Sequence, residues 1–333
     1  MSETARFRLL LLLLGITVLL LFGLSLTVGP AAIGFGESIA ALFSDKAEPM
    51  ALIMQEIRLP RALLGLMIGA TLGLSGAVLQ GYLRNPLAEP ALLGVSASAS
   101  LGAVIAIYTG FSVVFPLSLP LAALAGAVVA VVVVQAMAGM RGGALTVILA
   151  GVAVSSFAAS MTSLALNLSP NPFAAVEIMF WMLGSLADRS MTHVWLAGPF
   201  IVAGWAMLAS VGRSLDTLTL GRDAAASMGV NLRRVQLLAV LGTAASVGAA
   251  TAVAGAIGFV GLVVPHLLRP LVGARPSHLL PASALGGACV LLAADILVRV
   301  IAPEKDLKLG VLTAIVGAPF FLWLVYRTRR TLL

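Results

Sequence analysis

Charged side chains are scarce in this chain. Asp, Glu, Lys and Arg together make up 10% of its 333 residues, whereas soluble domains carry about 25%. Hydrophobic residues make up 60% of the sequence. Water therefore cannot be the main solvent of the folded chain, and the composition excludes an ordinary soluble protein.

Cysteine and lysine are almost missing as well. Cys289 is the only cysteine, which excludes intrachain disulfides and cysteine-rich metal or iron–sulfur sites. The lysines are Lys46, Lys305 and Lys308, and none of them follows a glycine. A phosphate-binding loop of the form G-x-x-x-x-G-K-[ST] is thus absent. If ATP drives this protein, the sequence predicts that another subunit binds it.

Side-chain patterns for catalysis are also lacking. The histidines, His193, His266 and His278, are far apart and form no metal-ligand spacing. There is no G-x-S-x-G nucleophile motif. We expect no resident metal or cofactor and no enzyme activity in this chain.

Long uncharged runs are what the sequence does contain. A helix needs about 20 apolar residues to cross ~30 Å of hydrocarbon, and charges, prolines and glycines divide the chain into ten candidates of about that length. A signal peptide has an apolar core of about 7–15 residues, so we expect the longer first run to be retained. The predicted spans are 9–28, 62–81, 90–110, 117–138, 144–167, 193–211, 236–257, 259–273, 279–300 and 309–326.

The sequence also predicts an irregular eighth span and the orientation of the chain. The eighth is short and is interrupted by Pro265 and Arg269, which predicts a partial helix held by protein neighbours, because lipid cannot satisfy broken backbone. With the first span leaving the cytoplasm, thirteen Lys and Arg residues fall in cytoplasmic segments and seven outside. The positive-inside rule then predicts that both termini are cytoplasmic.

The sequence also resembles itself. GATLGLSGAV from Gly69 matches GAATAVAGAI from Gly248, an offset of 179 residues, and the match extends to Pro86 with Pro265 and Gly94 with Gly273. The second span runs inward and the seventh outward, which predicts inverted halves, spans 2–5 and 7–10. Inverted repeats are typical of transporters. The alternative is chance similarity among small residues that favour helix packing.

Longer motifs resemble a known family. The stretch RLPRALLGLMIGATLGLSGAVLQGYLRNPLAEPALLGVS (58–96) resembles the signature of the permeases of ABC importers for ferric siderophores, haem and cobalamin, the FecCD type. GAIGFVGLVVPHLLRPLVG (255–273) and the closing segments LPASALGGACVLLAADILVR and GVLTAIVGAPFFLWL are similar in order and spacing. The fold class this implies is an all-α polytopic membrane protein forming one transmembrane domain over 1–333.

The resemblance also implies partners. A permease of this type pairs with a second copy of itself around a central pathway, rests on two ATP-binding subunits that hold ATP and Mg, and receives cargo from a periplasmic binding protein in the bacterial inner membrane. We therefore expect a metal chelate as cargo, a ferric siderophore or haem, or alternatively cobalamin. One departure is DLKLG before Gly310, where the family commonly has a glutamate, leucine and proline.

Three arginines are predicted docking residues. By resemblance, the RLPR motif (Arg58 and Arg61) and the A-D-x-x-x-R motif (Arg299) contact acidic residues of the binding protein. Arg58 and Arg61 would present two cations on one outer surface. The alternative is that long cationic side chains snorkel to the membrane interface.

An acidic residue lies inside the ninth span. Asp295 is costly there unless it is paired or functional, and Arg299 is four residues further along one helix face. We predict a structural ion pair. The alternative is an ion-gradient-driven secondary transporter in which Asp295 is the coupling acid.

The segment 214–234 is the longest predicted cytoplasmic loop. It favours a short helix from Arg222 to Met228 that Gly229 ends. The family's coupling element, which inserts into the ATPase, is similar to it, so the resemblance implies ATPase contact. The alternative is an ordinary amphipathic interfacial helix. The predicted coupling residues are Leu220, Gly221, Ala225, Met228 and Gly229.

A predicted gate lies at the start of the fifth span. In the family that span lines the pathway and forms an inner gate, and small residues suit a moving constriction as well as plain helix packing. The gate residues are Gly142, Gly143, Ala144, Leu145 and Thr146. The segment Asn85–Pro90 is predicted to be a rigid inner turn, since each proline fixes its own φ and restricts its predecessor.

Overall fold

The computed structural model of the protein is built from helices. It describes residues 2–29, 34–44, 48–115, 117–139, 143–169, 171–302 and 307–329, and over these ranges no strand occurs. The α-helices are α1 (Glu3–Thr27), α2 (Phe35–Ala41), α3 (Pro49–Leu52), α4 (Leu59–Leu83), α5 (Val95–Tyr108), α6 (Phe111–Val114), α7 (Ser118–Ala138), α8 (Ala144–Asn167), α9 (Pro172–Met182), α10 (Met191–Ser210), α11 (Gly212–Leu218), α12 (Arg222–Ser227), α13 (Leu232–Ala254), α14 (Val260–Leu268), α15 (Pro276–Ile301) and α16 (Leu309–Arg329).

The ten predicted spans coincide with ten of these helices. Eight helices of the described chain are long and apolar enough to cross a membrane. The other two spans correspond to shorter apolar helices, α5 and α14 with its 3₁₀ extension. One apolar helix, α9, was not predicted, because its 11 residues fall below the length of a span and include Glu177.

Helices α4 and α15 pack together most extensively. Glycines allow this close approach: a Cβ on Gly69 would collide with the Gly287 carbonyl, and one on Gly73 with the Ser283 carbonyl. Backbone therefore lies against backbone, as small residues permit in membrane helices. Most of α4 and α13 is buried within the chain, whereas only a minority of α1, α7, α8 and α16 is buried.

The sequence repeat has a structural counterpart. Pro90–Leu93 and Arg269–Val272 are both short 3₁₀ helices, 179 residues apart. Each ends in a glycine in the left-handed region, Gly94 at φ 72° and Gly273 at φ 65°, a conformation that costs glycine little. The match of both turns and both glycines supports a true repeat over chance similarity.

The two halves differ where the second one breaks. The first half continues α4 to Leu83, but α13 stops at Ala254 because Gly255 turns the chain at φ 73°. A Cβ on Gly255 would collide with the Trp181 carbonyl of α9. The predicted partial eighth span is confirmed: α14 begins at Val260 and passes into the 3₁₀ segment at Arg269.

Candidate docking and coupling sites

A buried ion cluster lies at the C-terminal end of α15. Asp295 is 1% exposed and receives Arg61 of α4, with Nε at 3.0 Å from Oδ1 and Nη2 at 2.9 Å from the same oxygen. Arg299 Nη2 lies 2.9 Å from Oδ2. The predicted Asp295–Arg299 pair is present, and a second guanidinium joins it from the neighbouring helix α4. A buried carboxylate is thereby paired twice, as its desolvation requires.

Arg299 and a third arginine, Arg58, cap helix α1. Arg299 Nη1 donates to the carbonyls of Ser25 and Val28 at 2.8 and 2.7 Å, and Arg58 Nη1 donates to those of Leu26 and Thr27, both at 2.9 Å. Carbonyls in the last turn of a helix lack intrahelical partners and carry partial negative charge. The arginines therefore satisfy the end of α1.

A π-helix precedes α4 and positions Arg58 next to α1. Residues Ile53–Arg58 form a π-helix directly before α4, and Pro60 follows in the first turn. The wider π turn and the missing proline N–H both alter the local backbone hydrogen bonds. In this structure Arg58 is 4% exposed and points inward. It is not an exposed cation here, and its docking role stays a prediction.

Arg61 retains more accessibility than its neighbours. Its side chain is 18% exposed, against 8% for Arg299. The three predicted docking arginines therefore lie together at one end of the bundle, tied to Asp295 or to α1. Sequence reasoning missed Arg61 as a partner of Asp295, because the residues are 234 positions apart.

The predicted coupling segment, 214–234, extends from within α11 to the start of α13. Its predicted helix is confirmed within one residue, since α12 runs from Arg222 to Ser227 with Met228 as its C-cap. Leu220 and Met228 are 66% and 64% exposed, whereas Ala225 is buried in the same hydrophobic cluster as Leu215 and Val235. The buried alanine anchors the helix, and the two large apolar side chains lie on its surface.

The two glycines of this segment set its backbone. Gly221 has φ 113° and Gly229 φ 84°, and open space surrounds the position of a Cβ at each. Ala225 N–H donates to the Gly221 carbonyl, and Val230 N–H to the Ala225 carbonyl, both at 3.0 Å. These glycines therefore shape the turn that presents Leu220 and Met228.

An acidic residue that the sequence did not single out ties this segment to α15. Asp216 of α11 accepts from the Ser277 N–H at 2.7 Å and from Arg275 Nε at 3.2 Å. Ser277 lies in the first turn of α15, where N–H groups lack helical partners. One continuous helix thus joins the coupling segment to the Asp295 cluster.

Comparison with known proteins identifies the family of the chain. The model of the FecCD transport family matches residues 16–327. The chain belongs to the FecCD transport family. It is 40% identical over 277 residues to the Fe(3+) dicitrate transport system permease protein of Escherichia coli, covering 83% of this chain and 86% of that one.

Other relatives cover nearly the whole of this FecCD chain. The hemin transport system permease protein of Yersinia pestis is 36% identical, with 96% of each chain covered. The vitamin B12 import system permease protein of Citrobacter koseri is 37% identical, over 95% of this chain and 94% of that one. A solved structure described as an inward-facing metal-chelate type ABC transporter matches with a TM-score of 0.84 at 30% identity, over 95% and 98%.

The predicted gate of the FecCD chain is only partly described. Gly142 and the side chain of Ala144 lie outside the described residues. Gly143 is the N-cap of α8, and its carbonyl accepts from the Thr146 N–H at 3.1 Å. Leu145 and Thr146 are exposed. The gate stays a prediction.

The inner turn of the FecCD chain belongs to the first repeat and contacts the second. Asn85 Oδ1 accepts from the Leu87 N–H at 2.9 Å, which closes a local turn. Glu89 follows and accepts from the N–H of Phe259, a residue in the left-handed region at φ 68°. Burial raises the pKa of the Glu89 carboxyl, and this backbone hydrogen bond partly opposes the rise.

Histidines of the FecCD chain have structural surroundings. His193 Nδ1 accepts from the Ser190 N–H at 3.2 Å, which caps α10. His278 stacks on Phe7 with ring centroids 4.1 Å apart. Within the part of the chain that the structure describes, no group of three His, Cys, Asp or Glu side chains could hold a metal ion.

Proposed function

We propose that this chain is one half of the membrane pathway of an ABC importer for a metal chelate. The observation that carries the proposal is the coupling segment, where Leu220 and Met228 are exposed on a helix that Ala225 anchors. Such exposed apolar side chains beside a rigid turn suit a protein partner. The relatives named for ferric citrate, haem and vitamin B12 support the cargo class.

The proposed assembly contains two copies of this chain, two ATP-binding subunits and a binding protein. ATP and Mg would bind to the ATP-binding subunits, so ATP hydrolysis would occur there and not in this chain. Only a minority of the apolar helices α8 and α16 is buried within the chain, which fits contact with the second copy. We place the assembly in the bacterial inner membrane, with both termini cytoplasmic as the positive-inside rule predicts.

The proposed coupling route runs through α15. A displacement of α12 would be transmitted to Asp216, which accepts a hydrogen bond from the first turn of α15. The far end of that helix carries Asp295 and Arg299, two residues of the cluster that also holds α1. ATP binding would in this way change the outer end of the bundle.

The rival function is an ion-gradient transporter in which Asp295 carries the coupling ion. Such an acid must release and rebind its ion during each cycle. Asp295 is 1% exposed and paired with two guanidinium groups, so it would first have to break two buried ion pairs. This arrangement favours the ABC importer.

Reconstitution in liposomes separates the two functions. The complete complex, with its ATP-binding subunits and binding protein, should take up ⁵⁵Fe-labelled ferric citrate, labelled haem or labelled cobalamin only when ATP is inside. We expect no uptake from a proton or sodium gradient alone. Gradient-driven uptake by the isolated chain would contradict the ABC importer and favour the rival.

The docking proposal needs a test that separates contact from stability. Arg61 is the most accessible of the three arginines, and Arg61→Lys keeps a cation that can still pair with Asp295. We expect weaker binding-protein association, measured by surface plasmon resonance, with little change in melting temperature. The control is Arg234→Lys at the opposite end of the bundle. Unchanged association in Arg61→Lys would count against docking at this arginine.

A further inference from the structure

An elongated cleft of about 580 Å³ opens between α1, α10 and α15, with α4 as its floor. Its size is within the ~300–1,000 Å³ range of small-molecule sites. The walls and floor are apolar, from Val18, Ala70, Leu74, Trp205 and Ala284 among others. Trp205 contributes its ring, while its Nε1 donates to Thr71 Oγ1 at 2.9 Å. The body of the cleft therefore suits hydrocarbon.

One end of the cleft is polar. Arg213 and Ser277 lie there. Arg213 is exposed, and with the described part of the chain its guanidinium forms no ion pair or hydrogen bond. The nearby acid Asp216 already binds Arg275 and the Ser277 N–H. An anion at this mouth would find a cation that has not been neutralised.

Further cations lie at the same end. Phe7 stacks on His278, which follows Ser277 in the chain, so the start of α1 is beside the mouth. Arg6 and Arg8 flank Phe7 and are exposed. Basic residues next to a membrane attract anionic lipid headgroups by about 1 kcal/mol each.

The length of the cleft matches one leaflet. Its α15 wall runs from Ser277 to Ala288, and eleven steps of ~1.5 Å give roughly 16 Å. Half of a ~30 Å hydrocarbon core is about 15 Å. The cleft therefore extends from the headgroup level at Arg213 to the middle of the bilayer.

We propose that this cleft is a binding site for an anionic phospholipid, with one acyl chain along Trp205 and the phosphate on Arg213. The lipid would come from the leaflet that adjoins α11 and α12. It would fill the space between α1 and α10 and lie beside the Asp216 contact of the coupling segment. This inference is independent of the cargo and of the ATP-binding partners.

Trp205 is a built-in reporter for the proposed lipid. In a full-length chain with Trp181, Trp195 and Trp323 changed to Phe, Trp205 is the remaining tryptophan. Brominated acyl chains quench tryptophan only at close range. The chain is reconstituted in phosphatidylcholine liposomes with increasing fractions of brominated phosphatidylglycerol or, separately, of brominated phosphatidylcholine.

We expect brominated phosphatidylglycerol to quench Trp205 at a lower mole fraction than brominated phosphatidylcholine does. Arg213→Ala should remove about 1 kcal/mol, which is a roughly fivefold weaker preference for the anionic lipid. The matched control, Arg234→Ala, removes an exposed arginine outside the cleft and should keep the preference. Ala209→Phe, at an exposed wall position, should reduce quenching by both lipids.

Other outcomes overturn the proposal. Equal quenching by the two lipids in the single-tryptophan chain that keeps Arg213 would mean that the cleft holds bulk lipid without headgroup selection. A preference that survives Arg213→Ala, or that falls equally in Arg234→Ala, would place the selection elsewhere. Unchanged quenching in Ala209→Phe would mean that the acyl chain lies outside the cleft.

Discussion

The Arg61 guanidinium and the Asp295 carboxylate join α4 to α15 inside the bundle. Arg61 Nε lies 3.0 and 3.1 Å from the two carboxylate oxygens, and Nη2 lies 2.9 Å from one of them. This two-point contact is the strong, directional geometry of arginine with a carboxylate. It also fixes the side from which Arg299 can approach the same acid.

Removing the acid tests the cluster. Asp295→Asn should lower the free energy of unfolding by about 3–5 kcal/mol, because it leaves Arg61 and Arg299 buried without a counter-charge. The measurement is the melting temperature of the purified chain in detergent. Asp223→Asn changes an exposed aspartate and should have little effect. Equal melting temperatures for the two variants would show that the cluster adds nothing to stability.

A pair of glycines tests the helix crossing. Gly73→Ala should strongly destabilise the chain, since the new methyl group would collide with the Ser283 carbonyl and force α4 away from α15. In Gly15→Ala the new group meets nothing within 4 Å, and alanine favours the helix over glycine by about 1 kcal/mol. Thermal unfolding of both variants in detergent measures the contrast. A stable Gly73→Ala chain would contradict the backbone contact.

Introducing a negative charge tests the proposed ATPase contact at Leu220 and Met228. Leu220→Asp and Met228→Asp should abolish co-purification with the ATP-binding subunit while the melting temperature stays unchanged, because both positions are exposed. Val113→Asp makes the same kind of change at the 85% exposed Val113 of α6 and should keep the complex. Retained complexes in both coupling variants would argue against ATPase contact at α12.

Ala225 should behave in the opposite way. It is the fully buried residue of α12, so Ala225→Leu overpacks the hydrophobic cluster that contains Leu215 and should cost about 1–3 kcal/mol of stability. Melting temperature measures this change. Loss of the ATP-binding subunit without any fall in melting temperature would mean that Ala225 contacts the partner directly.

We expect the stability of the chain to depend on pH through Glu89. Its pKa is raised by burial, so the folded chain holds this proton more tightly than the unfolded chain does. The free energy of unfolding should therefore fall as the pH rises from about 4.3, the ordinary glutamate value, through the raised pKa. Glu89→Gln keeps an acceptor for the Phe259 N–H and should flatten this part of the curve.

The matched control for Glu89 is the exposed Glu177 of α9. Melting temperature is followed against pH for the parent chain, Glu89→Gln and Glu177→Gln. The parent slope should persist in Glu177→Gln. If Glu89→Gln keeps the parent slope as well, another group causes the pH dependence.

The sequence predicted those features that depend on local pattern. Apolar length located all ten spans, the spacing of four residues paired Asp295 with Arg299, and Gly229 marked the end of α12. Helix α9 was missed because its 11 residues, which include Glu177, are too few to distinguish a membrane helix from a loop. Family resemblance named the coupling segment, but it did not show that Ala225 is an anchor.

Tertiary contacts set the remaining features. Whether Arg58 faces outward or inward depends on the position of the α1 carbonyls, and these lie about thirty residues away in the chain, with separations of 31 and 32. The partnership of Arg61 with Asp295, and that of Asp216 with the first turn of α15, likewise join distant segments. No periodicity in a single sequence specifies such pairs.

The glycine-mediated crossing limits the motions available to the chain. Helix α4 belongs to the first repeat and α15 to the second, and their backbones touch at Gly69 and Gly73. Rocking one repeat against the other as rigid halves would pull this contact apart. The crossing instead removes a degree of freedom, so that α4 and α15 would have to move together as one unit.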